Sequence, residues 1–356
     1  MNIIIPKEIK NNENRVGLTP SSVKELSKYG HKVFVENNAG LGIGYTNDDY
    51  ELSGALIIDK RSDLFKNEGL IIKVKEPMQD ELEYLNSSHT LFAYLHLAAD
   101  MSQAHKLAQT GIRAIAYETI TSDTGNLPLL APMSSIAGQI SIVVGSYFLL
   151  KPNKGIGVMF GEFIGIEKRI VTVIGAGVAG TEAIKKALAN NAHVKVIDLS
   201  EKRLDELREE LGEDNIEYII SSDESIINAL SVSDLVIGCV YVLGKEAPKV
   251  IREDMLSVMK EGSVMVDISI DQGGCIETSK PTTHDDPVFI KNGVVHYCVT
   301  NMPGAVPLTA TLALNQATLP YIIQLADNIE RTLEKDKHLA AGLSIENGKI
   351  VHPALQ

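Results

Sequence analysis

Residues 170–198 read IVTVIGAGVAGTEAIKKALANNAHVKVID, and their order decides the fold. Ile170, Val171, Val173 and Ile174 form an apolar run of strand length, and Gly175, Gly177 and Gly180 then give G-x-G-x-x-G around Val178. An alanine-rich helical pattern follows to Asn190, and a second strand-like run, Val194, Val196 and Ile197, ends on the acidic Asp198. Strand, glycine turn, helix, strand and terminal acid together make the dinucleotide-binding fingerprint, which three glycines alone do not. The first glycine permits the tight turn, the second lets backbone approach a pyrophosphate, and the third lets helix and strand pack closely. A helix N-terminus offers the phosphates unpaired N–H groups and a positive dipole end. Asp198 would accept hydrogen bonds from a ribose and repel a 2′-phosphate, which favours NAD over NADP.

Around this stretch lies a chain of 356 residues, 44% hydrophobic and 22% charged, long enough for two domains with sizeable cores. Its formal charge of -13 argues against nucleic acid or an anionic membrane as partner. Cys239, Cys275 and Cys298 are odd in number and lack metal-ligand spacing, so they read as reduced thiols of a cytoplasmic protein, and no residue cluster calls for a metal. The first residues lack the basic, apolar and small-residue order of a signal peptide. Gly125 to Leu150 carries no charge, but its asparagine, prolines, glutamine and serines suit a buried helix over 134–150 between domains better than a membrane span.

The first third alternates short apolar runs with helical patterns. Strands are expected at Ile3–Ile5, Lys32–Val35, Leu70–Val74, Thr90–Leu95 and Ile112–Ala116, with helices at Ser21–Tyr29 and Met101–Gln109. That alternation predicts a mostly parallel sheet with helices on both faces, whose ligands bind beyond the carboxyl ends of the strands. Arg15, Lys75 and His96 fall near such ends. Taken singly, Arg15 also suits a structural ion pair, Lys75 a solvated strand terminus and His96 a satisfied loop histidine. Together they supply a bidentate carboxylate clamp, a point charge and a proton-transfer group, which fits a 2-oxo carboxylate.

Past Asp198, leucines at 204, 207 and 211 mark a helix, and strands are expected at 218–220, 235–240, 263–268 and 294–299. Asp271 lies just past a strand end before two glycines, either facing a cleft or forming an Asx-turn, while Asp267 reads as a buried, hydrogen-bonded carboxylate. Leu308–Leu333 reads helical with Pro320 as a place for a kink, and Asn347-Gly348 signals a hairpin. The tail is too short to stand alone and is expected to pack on the first domain. The domains are therefore 1–130 plus 305–356, and an inserted 131–304.

With these residues in hand, the chain resembles the L-alanine dehydrogenase family nearly end to end. The resemblance is carried by IPKEIKNNENRVGLTP at 5–20, KVKEP at 73–77, HLAAD at 96–100, MSSIAGQ at 133–139, DISIDQGG at 267–274, TTHDDP at 282–287 and VTNMPGAVP at 299–307. It implies two doubly wound parallel-sheet domains around a cleft, a Rossmann NAD domain inserted into a flavodoxin-like substrate domain, and a homohexamer. It implies that Arg15 and Lys75 hold pyruvate, that His96 and Asp271 transfer protons, and that Asn301 lies at the substrate. It further implies that Ser134, Asp198, Arg203 and the segments near Val240, Ile268 and Met302 line NAD. The implied partners are L-alanine, pyruvate and ammonium. The chain departs from the family's usual pattern at Gly161-Glu162-Phe163 and at Val242-Leu243-Gly244, which puts cofactor affinity and oligomer contacts in question. Two rivals share the fingerprint: the NAD(H)-binding part of proton-translocating transhydrogenase, which needs no proton-transfer pair, and a non-catalytic NAD-responsive protein.

Overall fold

The structure is a computed structural model that describes residues 1–242 and 246–355, apart from the side chain of Ala99. The chain divides into two compact units, Met1–Met133 with Val306–Gln356, and Ser134–Ala305.

In the first unit β1 (Asn2–Ile5), α1 (Pro20–Lys28), β2 (Lys32–Glu36), α2 (Asn47–Leu52), β3 (Ala55–Ile58), α3 (Arg61–Leu64), β4 (Gly69–Ile72), β5 (His89–Ala93), α4 (Met101–Gln109) and β6 (Arg113–Ala116) follow one another. The helix α5 (Ala131–Phe148) begins in this unit and ends in the second. The second unit continues with β7 (Ile170–Ile174), α6 (Val178–Ala189), β8 (His193–Asp198), α7 (Glu201–Leu211), β9 (Ile216–Ile220), α8 (Asp223–Val232), β10 (Leu235–Gly238), β11 (Val264–Asp267), β12 (Val288–Lys291) and β13 (Val294–Tyr297). The chain then returns to the first unit through α9 (Pro307–Asp327), α10 (Ile329–Lys335), α11 (Lys337–Ala340), β14 (Leu343–Glu346) and β15 (Lys349–Ile350).

The second sheet runs β12-β13-β11-β10-β7-β8-β9. Its six parallel strands keep the dinucleotide-fold order, reversing direction of travel between β7 and β10, with β12 added antiparallel at one edge. Alternation places Val171, Val173, Leu235 and Ile237 in one apolar cluster, and Ile174, Val236 and Met265 in another. Both faces are therefore dry, as a parallel sheet requires.

The first sheet runs β15-β14-β6-β5-β4-β1-β2-β3. Five parallel strands were expected, and on their own they give the flavodoxin-like order. The sixth, β3, was hidden because Ala55-Leu56-Ile57-Ile58 is short and Leu56 is 53% exposed at the sheet edge. With it, the first sheet takes the same 3-2-1-4-5-6 order as the second, extended by the antiparallel β14–β15 hairpin. The hairpin turns through Asn347 and Gly348, both at positive φ, as expected. Two further expectations are corrected. The helical stretch after Pro307 runs unbroken through Pro320 and stops at Asn328, whose side chain accepts the Arg331 N–H and so starts α10. Val74 and Leu95 lie outside their strands, so Lys75 and His96 each sit three residues beyond a strand end. Among the described residues, no helix is long and apolar enough to cross a membrane.

Candidate active site

In the first unit, the segments after β1, β4, β5 and β6 converge beyond the carboxyl ends of neighbouring parallel strands. Lys75 is buried, and its Nζ lies 3.5 Å from Nε2 of His96. The sequence therefore picked out two residues that the fold pairs. His96 has φ 49° and ψ 32°, a left-handed backbone that costs a non-glycine residue about 1–2 kcal/mol. Glu118, in the turn after β6, holds the peptide that leads into it: its carboxylate accepts the His96 N–H at 2.6 Å and the Leu95 N–H at 3.1 Å. Burial pushes the Glu118 carboxyl above its ordinary value, against the lowering pull of those N–H groups and of Lys75. The Tyr94 ring stacks nearly parallel to the imidazole, with centroids 6.0 Å apart.

Two more glutamates do similar work. Glu13 accepts the Arg15 backbone N–H at 3.1 Å and forks onto the guanidinium, with Nε at 2.7 Å. Burial disfavours the Arg15 charge, and Glu13 more than offsets that, raising the guanidinium's pKa. One edge of the expected carboxylate clamp is thus taken by a structural ion pair, while Nη1 faces the Met133 sulfur at 3.2 Å. The ion-pair reading of Arg15 describes its Nε–Nη2 edge. Glu8 accepts the Val74 N–H at 2.7 Å, next to Lys75, and binds Lys73 Nζ at 3.0 Å. Lys73 also binds Glu81 at 3.0 Å, and all three groups are buried.

In the second unit, the three fingerprint glycines have different reasons to be glycine. A Cβ on Gly175, at φ +100°, would lie 2.8 Å from the Cys239 carbonyl oxygen, and one on Gly180 would lie 1.9 Å from the Gly175 carbonyl oxygen. The fold itself forbids both. A Cβ on Gly177 would meet nothing within 4 Å, so the protein's own packing gives no reason for its bareness. Gly177 caps the N-terminus of α6, beside the exposed Val178, where a phosphate would meet N–H groups. Open space at the second glycine is the observation that fits a dinucleotide.

Asp198, at the end of β8, accepts the Ala176 N–H at 2.7 Å and the Ser200 N–H at 2.8 Å, which fixes it beside the glycine turn. Arg203, on α7, donates to the Ala176 carbonyl at 2.8 Å and to the Thr181 hydroxyl at 2.9 Å, locking the same turn. Ser269 donates to the Val240 carbonyl at 2.8 Å, so the segments at Val240 and Ile268 lie together. Ser134 is partly buried on α5. Met302 is 3% exposed, within the core cluster of this unit. The Asp267 carboxylate is wholly buried and accepts from Ser269, Ile276 and Ser279, the structural role expected of it. It holds the turn that carries Asp271, whose exposed carboxylate accepts the N–H of Asn301, 3.2 Å away and itself at φ 59°.

Sequence reasoning missed Glu8, Glu13, Lys73 and Glu118. The first three sit inside the motif blocks, and Glu13 and Lys73 lie two residues from Arg15 and Lys75, a spacing that was available as a signal; Glu118 had none. Of the departures, Gly161 adopts φ +148° beside the half-exposed Phe163, whereas Leu243 and Gly244 lie outside the described residues. Among the described residues, no group of three or more His, Cys, Asp or Glu is arranged to hold a metal ion.

Residues 4–137 match the family description "Alanine dehydrogenase/PNT, N-terminal domain", and residues 141–353 match "Alanine dehydrogenase/PNT, C-terminal domain". The alanine dehydrogenase of Halomonas elongata is 47% identical over 356 residues, covering 100% of this chain and 96% of the relative. That of Staphylococcus haemolyticus is 49% identical over 354 residues, covering 99% and 94%. A solved L-alanine dehydrogenase superposes with a TM-score of 0.95 at 44% identity, covering 100% of this chain and 98% of that one. A transhydrogenase from Sinorhizobium meliloti shares the fold, with a TM-score of 0.83 at 24% identity over 99% and 100% of the two chains. The chain belongs to the alanine dehydrogenase/PNT family.

Proposed function

We propose that the chain is an NAD-linked L-alanine dehydrogenase, catalysing L-alanine + NAD⁺ + water ⇌ pyruvate + ammonium + NADH + H⁺. The observation that carries the reading is the Lys75–His96 pair, 3.5 Å apart beyond the strand ends, in a chain 47–49% identical to alanine dehydrogenases over its whole length. The transhydrogenase rival needs no substrate proton-transfer pair, the role this reading gives to His96 and Asp271.

NAD, when bound, supplies the acceptor for the hydrogen on C2 of alanine. Gly177 leaves room for its pyrophosphate at the N-terminus of α6, and Asp198 disfavours a 2′-phosphate. The outer edge of Arg15, with the Glu13 fork holding the other, orients the substrate carboxylate. Lys75 places a positive charge where the carbonyl oxygen of pyruvate develops negative character. Oxidation of alanine leaves an imine, and water adds to it. His96 and Asp271 take and return the protons that convert the carbinolamine to pyruvate and ammonium. Asn301, whose N–H the Asp271 carboxylate accepts, would contact the substrate with it. A cytoplasmic homohexamer is the assembly this reading expects.

The test is NADH formation across a panel of small L-amino acids. His96→Ala and Asp271→Asn should each lower turnover about 10²–10⁴-fold while NADH binding persists. Near-native turnover in either variant removes that residue from the mechanism, and no turnover by the native chain with alanine sinks the reading.

A further inference from the structure

The two carboxylate oxygens of Glu118 are directed at the segment that carries His96. Oε1 accepts from His96 N at 2.6 Å and from Leu95 N at 3.1 Å, and Oε2 lies 3.2 Å from Leu95 N. Two successive N–H groups held by one anion fix the peptide plane that enters His96, and from that plane the backbone turns into φ 49° and ψ 32°. The rotamers open to a side chain depend on its backbone angles, so the direction of the imidazole follows from that plane and that turn. We infer that Glu118 is a positioning residue for proton transfer: its carboxylate fixes the peptide plane that enters His96 and thereby the approach of Nε2 to Lys75 Nζ.

The placement of Glu118 supports a dedicated role. It comes from the turn after β6, whereas His96 follows β5, so the contact joins two parallel neighbours at their carboxyl ends. The Tyr117 side chain before it is fully buried against Phe92 and Tyr94, which anchors the turn to the same two strands. With the carboxylate removed, the Leu95 and His96 N–H groups lose their acceptor and the peptide plane that enters His96 is free to rotate. That rotation swings the ring away from Lys75.

The inference rests on the reading of His96 as the proton-transfer group, and a double-mutant cycle separates the two. In the full-length protein, Glu118→Ala should lower kcat about 10²-fold, the penalty of a misplaced group, with KM for pyruvate and NADH affinity changed less than about threefold. Glu118→Gln keeps an acceptor at Oε1 but presents an N–H to Leu95, so it should lose only about tenfold, and it serves as the measurement if the alanine variant does not fold. Because Glu118 acts through His96, the double variant His96→Ala/Glu118→Ala should be no slower than His96→Ala, within about threefold. A double variant slowed by the full single-variant factor overturns the inference, as does native kcat in both Glu118 variants beside a dead His96→Ala. Native kcat in His96→Ala instead overturns the reading beneath it.

Discussion

The two units build their strand-end sites on the same 3-2-1-4-5-6 sheet order, but with opposite materials. In the first, the groups proposed to face a ligand are cations and an imidazole, and a buried glutamate accompanies each: Glu13 for Arg15, Glu8 beside Lys75, Glu118 for His96. In the second, the site is made of missing side chains and backbone N–H groups around Gly175, Gly177 and Gly180, and its one wholly buried carboxylate, Asp267, is satisfied by neutral donors. A small anionic substrate needs charge set at a few points. A long dinucleotide needs room along a turn. The same scaffold can serve either because everything that differs lies in segments beyond the strands.

If charge is what holds the first site, removing a buried cation shared by two carboxylates should cost the most. Lys73→Met leaves Glu8 and Glu81 buried together without their shared cation, and Lys73 itself is 2% exposed. A loss of about 3–5 kcal/mol in urea unfolding is expected. A loss under about 1 kcal/mol would show that the glutamates hold the loop without the lysine, and the contrast between the units would fail.

The second site is tested by two glycines three residues apart. Gly180→Ala should destabilise by about 3 kcal/mol, because a Cβ 1.9 Å from the Gly175 carbonyl cannot be relieved by moving a side chain. In an ordinary helix the same change would stabilise by about 1 kcal/mol. Gly177→Ala should change stability by less than about 1 kcal/mol yet weaken NADH binding tenfold or more, about 1.4 kcal/mol. Equal NADH affinity in Gly177→Ala and the native chain would remove the pyrophosphate from that space.

These cases also show what was legible from the residues alone. The glycine turn was, because strand, turn, helix and acid are contiguous from 170 to 198 and each has a local signature. Lys75 and His96 stood out because apolar runs stop abruptly beside them, and Arg15 because it lies between the first strand and the first helix. Strand β3 did not, since an edge strand buries only part of itself and Leu56 faces outward. Glu118 did not either, because a carboxylate that caps another strand's loop looks in sequence like any acidic turn residue. Nor did the fork of Glu13 onto Arg15. Local patterns report local structure, and tertiary hydrogen bonds leave no period to read.

The smallest expected effect concerns two buried histidines, one in each unit. His89 and His296 both have pKa values lowered by burial. For each, the unfolded chain takes up a proton as pH falls below about 6.5 while the folded chain resists, so stability is full above that value and declines below it. The two differ in what a second proton would meet. His89 Nδ1 accepts the Asn86 N–H at 3.3 Å while Nε2 faces the Asn67 carbonyl at 3.1 Å, so the tautomer assigned from these partners leaves a new N–H pointing at a fixed backbone donor. His296 sets Nδ1 on the Val294 carbonyl at 3.0 Å and Nε2 on the Thr278 hydroxyl at 2.8 Å, and a hydroxyl can turn to accept. His89→Gln should therefore flatten the fall in unfolding midpoint between pH 7 and pH 5.5, roughly the span around the ordinary histidine value, more than His296→Gln does. Equal flattening by both would show that desolvation alone sets the slope, and that the charge-built unit is no more sensitive to acid than the glycine-built one.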